Sequence, residues 1–548
     1  MKPAGSYEEM RARHRWRIPP RFNMGVAICD RQRQRSVALI HPQPDGSVRE
    51  YTFGDLKKLS NRLANRLVAA GLQRGDRAAI LLPQAPENTV AHMAIYRAGF
   101  IVLPLFVLFG ADALEYRLRD SGARVVVTNR ANAAKIAQIR DRLPELKLVL
   151  SIDGPAEGAL DFYLEIDKAS DRFTPVDTAS EEPGLLIYTS GTTGPPKGAL
   201  HAHRTLLGHM PGVEMIFDFF PQPGDIAWTP ADWAWIGGLF DVMMPALYRG
   251  VPQVINPPGK LDPEATFALL ARHGINTAFL PPTALKLLRQ VPNARQRWNY
   301  GLRTVFSGGE ALGTELMGWG RDTLGVTINE AYGQTEANVI VGCCGVVMKN
   351  PPGSMGRAAP GHDLKVLNEA GEEVPRGTLG NLSVKAPDPV MFLEYWKRPE
   401  ATAEKFVTNA AGEKWMYTGD TVKMDADGWI FFVGRADDVI NSAGYRIGPS
   451  EVEDSLIAHP AVFMSAVVGV PDKDRGERVK AFIILKEGET PSEALTKSIQ
   501  DHVKTRLAAH EYPREVEFVT ELPMTTTGKI QRKVLREREV EKQAAAGR

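Results

Sequence analysis

The string Tyr188-Thr189-Ser190-Gly191-Thr192-Thr193-Gly194-Pro195-Pro196-Lys197-Gly198 follows the apolar run Leu185 to Ile187 and concentrates groups that bind anions. Glycines let backbone N–H groups crowd around an oxyanion, hydroxyls add donors, and a lysine adds a cation. Thr189, Ser190, Gly191, Thr192, Thr193, Gly194 and Lys197 are therefore candidate phosphate ligands. The spacing is not that of a Walker loop, in which Ser or Thr follows the lysine; here Lys197 precedes Gly198 and follows two prolines. A second cluster, Tyr332-Gly333-Gln334-Thr335-Glu336, puts a hydroxyl beside a carboxylate. Thr335 can bond a phosphate oxygen, and Glu336 can hold Mg²⁺, a hard cation that takes oxygen ligands. In Ser307-Gly308-Gly309-Glu310-Ala311 the small residues let backbone lie flat along an adenine ring. Asp420, in Tyr417-Thr418-Gly419-Asp420, offers two acceptor oxygens suited to the paired hydroxyls of a ribose.

Gly434-Arg435-Ala436-Asp437-Asp438, Gly444-Tyr445-Arg446 and Thr527-Gly528-Lys529 extend this order toward the C-terminus. With them the chain resembles the adenylate-forming superfamily of acyl-CoA synthetases, peptide-synthetase adenylation domains and firefly luciferase. The resemblance runs over roughly residues 30 to 540. It implies that Gly309, Glu310, Glu330, Tyr332, Gly333 and Gln334 line the nucleotide site, that Arg435 joins Asp420 at the ribose, and that Arg446 faces the phosphates. It makes Lys529 the catalytic cation, with Thr335 and Glu336 beside it. Attack of a carboxylate on the α-phosphate brings negative charges together, and a cation between nucleophile and bridging oxygen stabilises that charge.

Such enzymes reuse one site for a second half-reaction by rotating a C-terminal domain. The resemblance puts the hinge at Asp437 and predicts that Ala443-Gly444-Tyr445 then replaces Lys529. In detail the C-terminal part is similar to medium-chain acyl-CoA synthetases, which implies that Arg475, Lys504, Tyr512 and Arg514 meet coenzyme A. Trp235 and Gly237, with Gly333, are expected to line the acyl pocket. Gly333 stands where acetate-specific relatives carry a tryptophan, so a longer channel is expected. Pro523-x-x-x-x-Gly528-Lys529 resembles an acylation target in related synthetases, which implies a lysine acyltransferase and deacylase as partners acting on Lys529.

The reaction so implied joins a medium-length, branched or aromatic carboxylic acid to CoA through an acyl-adenylate, with MgATP consumed to AMP and pyrophosphate. A stand-alone enzyme loading an acyl or amino acid onto a carrier protein is an alternative. For an amino acid, Asp232 and Asp241 are in the region where a carboxylate would meet the ammonium. A nucleotide-binding sensor on the same fold would most simply have lost Lys529 or Glu336, and both are present.

The elements that must position these groups follow from periodicity. Thr52-x-x-Asp55 reads as a capping box, followed by Leu56, Leu59, Leu63 and Leu67 on one helical face. Helix and strand patterns alternate through the first 150 residues, as a parallel sheet covered by helices requires. About 350 to 433 reads as a β-rich layer, and the remainder as a small α+β unit with a low-complexity Ala/Glu/Lys tail after Arg536. The expected fold is α/β, with an N-terminal domain at 1–436 and a mobile α+β domain at 437–548. At 548 residues the chain exceeds one ordinary core. With 66 Lys+Arg against 65 Asp+Glu, no global basic field is available for nucleic acid or anionic lipid. Three cysteines, Cys29, Cys343 and Cys344, form no disulfide framework or metal spacing, which points to a reducing compartment and a cytoplasmic protein, and Cys343 and Cys344 are expected to be small buried hydrophobes. The longest apolar run, Phe100 to Phe109, is too short for a membrane span.

Overall fold

Strands Arg77–Leu81, Ile101–Pro104, Val125–Thr128 and Leu148–Ser151 pair in parallel, as the early alternation of patterns predicts. Successive side chains point to opposite faces, so Ala78, Ile80, Val125 and Val127 enter one apolar cluster while Ala79, Leu81 and Val126 enter another. Helices must cover both faces. One of them, Phe53–Ala69, begins at the Thr52/Asp55 capping box. Pro183–Thr189 joins this eight-stranded sheet in parallel and then pairs antiparallel with Lys197–Ala202. The phosphate-loop string thus connects two antiparallel strands. The computed structural model describes residues 1–189, 195–256, 259–310, 312–435, 438–442, 445–472, 475–507, 511–525 and 528–546. Ser190, Gly191, Thr192, Thr193, Gly194, Asp437, Ala443 and Gly444 lie outside the described residues, as does the side chain of Arg446.

A second, fourteen-stranded sheet begins with parallel strands, among them Thr277–Phe279, Thr304–Gly308 and Ile328–Gln334. The chain then doubles back into Ala337–Gly342, and the same sheet continues antiparallel through Ser354–Ala358, Ile430–Arg435, Lys414–Met424 and Leu379–Lys385. The expected β-rich layer is therefore the antiparallel end of this sheet. Val384, Met416 and Val422 bury its inner face.

The small C-terminal domain is built on Val462–Asp472 paired antiparallel with Gly476–Leu485, with Glu515–Phe518 parallel at its side. Val452, Leu456, Ile499 and Val503 of two helices cover one face, and Leu522 and Leu535 reach the other. Leu535 belongs to a helix, Arg532–Ala546, where the sequence reading expects a low-complexity tail. Among the described residues no helix is long and apolar enough to cross a membrane. All three cysteines are free and buried.

Lys480 holds the tail helix to the sheet. Its ammonium is 2.6 Å from Glu515, 2.8 Å from Glu517 and 2.7 Å from Glu539, with Lys480 and Glu539 almost fully buried. Removing one partner of a buried ion pair leaves an uncompensated charge and costs about 3 kcal/mol. Lys480→Met is expected to lower the thermal midpoint measurably by calorimetry; an unchanged midpoint would show that the three carboxylates do not depend on it.

Candidate active site

Strands Ile328–Gln334 and Lys414–Met424 of the large domain contribute to the wall of a cleft of about 1340 Å³ that residues of the small domain also line. Tyr332, Gly333, Gln334, Glu330, Gly309, Glu310, Asp420, Arg435 and Lys529, all singled out from sequence, line it. The Tyr332 hydroxyl donates to Asp420, and Gln334 Nε2 donates to the Thr418 carbonyl at 3.0 Å. Asp420 sits inside a strand rather than in a free turn, opposite Arg435 in the register. Burial raises its pKa, and the Arg435 guanidinium opposes that shift. Gly419 beside it has φ +80, a conformation open to glycine at no steric cost.

Two groups at this centre carry no local sequence signal. Lys405 Nζ donates to Gln334 Oε1 and to the carbonyls of Tyr417 and Thr418, each at 3.1 Å, which ties the two strands together. Burial lowers its pKa, against the pull of Glu336 and Asp420. Tyr395 donates its hydroxyl to Glu336 and carries Lys197 over its ring, 5.3 Å from the centroid. Tyr395 thereby joins the end of the phosphate loop to the Thr335-Glu336 turn, which is further fixed by Phe392 N donating to the Glu336 carbonyl at 2.8 Å. Thr189 and Lys197 pair at the base of that loop.

Lys529 comes from the small domain into the cleft on a tight turn, with its N–H donating to Thr525 Oγ1 at 3.1 Å. Gly528 takes φ +82 against Thr283, where a Cβ would lie 3.3 Å from the methyl group. Lys529 Nζ is 5.9 Å from the centroid of Trp235. Gly309, at φ +98, lies between them: a Cβ there would be 3.2 Å from the indole and 3.6 Å from Lys529 Cε. Burial lowers the Lys529 pKa, while Glu310, Asp420 and Glu336 hold it up. The ammonium is thus set among carboxylates of the other domain.

On the acyl side Trp235 tilts onto Phe279, with centroids 5.5 Å apart, and a Cβ at Gly237 would be 3.2 Å from both rings. Gly333 is bounded more closely than expected. A Cβ there would lie 2.3 Å from Val339 N and 2.7 Å from Asn338 Cα, so the returning strand fills the room that a side chain would take.

The residues expected to meet coenzyme A stand elsewhere. Lys504 and Arg514 flank Tyr512, 5.6 and 4.3 Å from its ring centroid, and none of the three lines the cleft. Tyr445 is 52% exposed, and Arg475 is exposed with its backbone N–H on Asp472. Arg446 pairs through its backbone with Asn441.

Glu330, within the strand Ile328–Gln334, is buried, accepts from Leu312 N at 3.2 Å, and is pushed by burial from 4.5 to about 7. A carboxyl raised in the folded state adds its stability while protonated, fully below its unfolded pKa, and loses it as pH rises through about 7. Glu330→Gln cannot ionise. Its stability relative to the parent is expected to improve by about 3 kcal/mol between roughly pH 4 and pH 8; denaturant titrations giving the same difference at both pH values would refute the shift.

Comparison with known proteins identifies the family. The profile described as AMP-binding enzyme matches residues 27–396, and that described as AMP-binding enzyme C-terminal domain matches 451–529. The mitochondrial acyl-coenzyme A synthetase ACSM4 of Homo sapiens is 37% identical over 542 residues, covering 95% of this chain and 91% of that protein. The crystal structure of the anthranilate CoA ligase AuaEII with anthranoyl-AMP superposes at a TM-score of 0.87 with 32% identity, covering 96% of this chain and 99% of that one. The acyl-CoA synthetase of Brucella canis is 38% identical at a TM-score of 0.74, covering 98% and 100%.

Proposed function

Because the chain belongs to the AMP-binding enzyme family and is an AMP-forming acyl-CoA synthetase, we propose that it activates a medium-length, branched or aromatic carboxylic acid with the cleft residues in defined roles. The observation that carries the assignment of roles is the entry of Lys529, from the small domain, between Trp235 on the acyl side and Asp420 on the nucleotide side. ATP, the acid and CoA are its substrates.

In the first half-reaction a carboxylate oxygen of the acid attacks the α-phosphorus, the bond to the bridging oxygen breaks, and pyrophosphate leaves with that electron pair. Lys529 offsets the charge gathered between nucleophile and bridging oxygen. Asp420 accepts from the ribose hydroxyls beside Arg435, and Gly309 and Glu310 flank the base. Thr189, Lys197 and the hydroxyl and glycine residues between them hold the β- and γ-phosphates, with Arg446 contributing from the small domain. Thr335 bonds the α-phosphate. No covalent enzyme intermediate is needed, so orientation supplies much of the remaining acceleration.

Glu336 fits a magnesium ligand. It is buried, and among the described residues only Tyr395 hydrogen-bonds its side chain, which leaves acceptor capacity toward the phosphates. Mg²⁺ favours one or two carboxylates together with substrate phosphates, and bound there it would neutralise phosphate charge.

In the second half-reaction the CoA sulfur attacks the acyl carbon and AMP departs with the oxygen. Lys504, Tyr512, Arg514 and Arg475 bind the coenzyme, and their position away from the cleft supports rotation about Asp437 that withdraws Lys529 and brings in Ala443, Gly444 and Tyr445. The domain boundary at 436/437 follows from the same reading. Acylation of Lys529 by a lysine acyltransferase would need that rotated arrangement, since the lysine here is enclosed by the cleft. A reducing compartment, the cytoplasm, suits three buried free cysteines. The anthranoyl-AMP complex of the similar ligase supports an aromatic acid.

Incubation with a panel of acids, scored for AMP and thioester with free CoA and with a holo carrier protein, is expected to give acyl-CoA from free CoA. No acyl-CoA from any acid would overturn the assignment. Lys529→Ala is expected to slow pyrophosphate release about 10²-fold or more, while thioester formation from supplied acyl-AMP stays within a few-fold; equal loss of both would contradict the alternation.

A further inference from the structure

The acyl side does not end in hydrocarbon. The helical segment Ile236–Gly238 runs into the π-helical Leu239–Met243, a geometry that recurs at functional sites. Four residues beyond Gly237, on the same flank, stands Asp241. Its side chain is buried, and so is that of Asn338 on the returning strand. Asn338 Nδ2 donates to Asp241 Oδ1 at 2.6 Å. Among the described residues no other group hydrogen-bonds the Asp241 side chain. Asn338 Oδ1 in turn lies beneath Gly333, 2.7 Å from where a Cβ would sit, so the pair reaches from the helix to a residue that lines the cleft.

The surroundings make this pair conspicuous. Trp235, Val242, Phe279 and Val339 belong to one apolar cluster around it, where a polar group without a full set of partners is unfavourable. Val339, the neighbour of Asn338, is held at φ +50, which a β-branched residue rarely adopts. Strained backbone of this kind persists where surrounding structure enforces it, and clusters at ligand clamps. Burial raises the Asp241 pKa well above its ordinary value, against the Asn338 hydrogen bond, and in its protonated form such a carboxyl both donates and accepts. A neutral carboxyl beside an amide oxygen matches an uncharged polar substituent.

Resting on the synthetase reading above, we propose that Asp241 and Asn338 form the end wall of the acyl pocket and select acids that carry a hydroxyl or an uncharged amine on an aromatic or short carbon frame. An all-hydrocarbon acid would cover the pair without satisfying it, and sites built to hydrogen-bond a substrate group reject analogues that lack it far more strongly than apolar pockets separate chain lengths.

The test compares matched acids: benzoate with the hydroxybenzoates and aminobenzoates, and hexanoate with 6-hydroxyhexanoate. Acid-dependent ATP–pyrophosphate exchange reads the selection, and thioester formation is followed in parallel. The parent enzyme is expected to favour at least one donor-bearing acid over its hydrocarbon match by about tenfold or more in kcat/KM. Asp241→Leu and Asn338→Leu are expected to collapse that ratio toward or below unity through a gain with the hydrocarbon acid. A parent enzyme that prefers the hydrocarbon member of every pair overturns the proposal even if neither variant folds. An unchanged ratio in folded variants also overturns it. Exchange with no acid at all would instead remove the synthetase reading, so the two failures are distinct.

Discussion

In the proposed reaction two anions must be brought within bonding distance, and the small domain delivers Lys529 into the cleft where they would meet. Lys529 enters the cleft beside Trp235 and within the field of Glu310, Asp420 and Glu336. Those carboxylates make the cleft hospitable to an ammonium and hostile to an unaccompanied triphosphate. On the proposed reading substrate charge and lysine charge favour each other, which would couple closure of the small domain to occupancy of the nucleotide site. Gly309 and Gly528 serve this approach directly, since both take positive φ and both face neighbours that leave little room for a side chain.

The large domain supplies a fixed frame for that encounter. Tyr332 donates to Asp420, and Lys405 spans from Gln334 to the carbonyls of Tyr417 and Thr418, so the strands Ile328–Gln334 and Lys414–Met424 are tied into one body. Tyr395 performs the same service for Glu336 and Lys197. A buried polar network of this kind is stable only when its members are satisfied. In the small domain Lys480 plays the corresponding part, locking the C-terminal helix onto the sheet so that the turn carrying Lys529 is presented by a rigid unit.

The legible parts of the site were those in which chemistry is written in contiguous residues. Gly309, Tyr332 to Gln334, Asp420 and Lys529 belong to short motif strings, and the cleft collects them. Lys405 and Tyr395 were not legible because their partners are distant in sequence and several are backbone carbonyls, which leave no residue signature. Asn338 was equally hidden, two residues past Glu336 but meaningful only through Asp241 on a distant helix. In the fold, the alternation of helix and strand patterns foretold the parallel sheet, whereas the continuity of the antiparallel layer with the second sheet depends on pairings such as Asp420 with Arg435 that periodicity does not specify. The tail helix was missed because its Ala/Glu/Lys composition reads as solvated, while Leu535 and Glu539 are buried by contacts made elsewhere in the chain.

If one arrangement makes the adenylate and another makes the thioester, fixing the present arrangement must separate the two reactions. Gly313 of the large domain and Asp454 of the small domain approach closely, since a Cβ at Gly313 would lie 3.7 Å from Asp454 Cγ, and because Gly313 takes φ +72 a cysteine there carries backbone strain for which the reduced double variant is the control. The most direct measurement is pyrophosphate exchange and thioester formation by the Gly313→Cys/Asp454→Cys enzyme, oxidised and then reduced. Retained exchange with thioester formation lost on oxidation and recovered on reduction is the predicted result. Thioester formation by the cross-linked enzyme at its reduced rate would contradict the account.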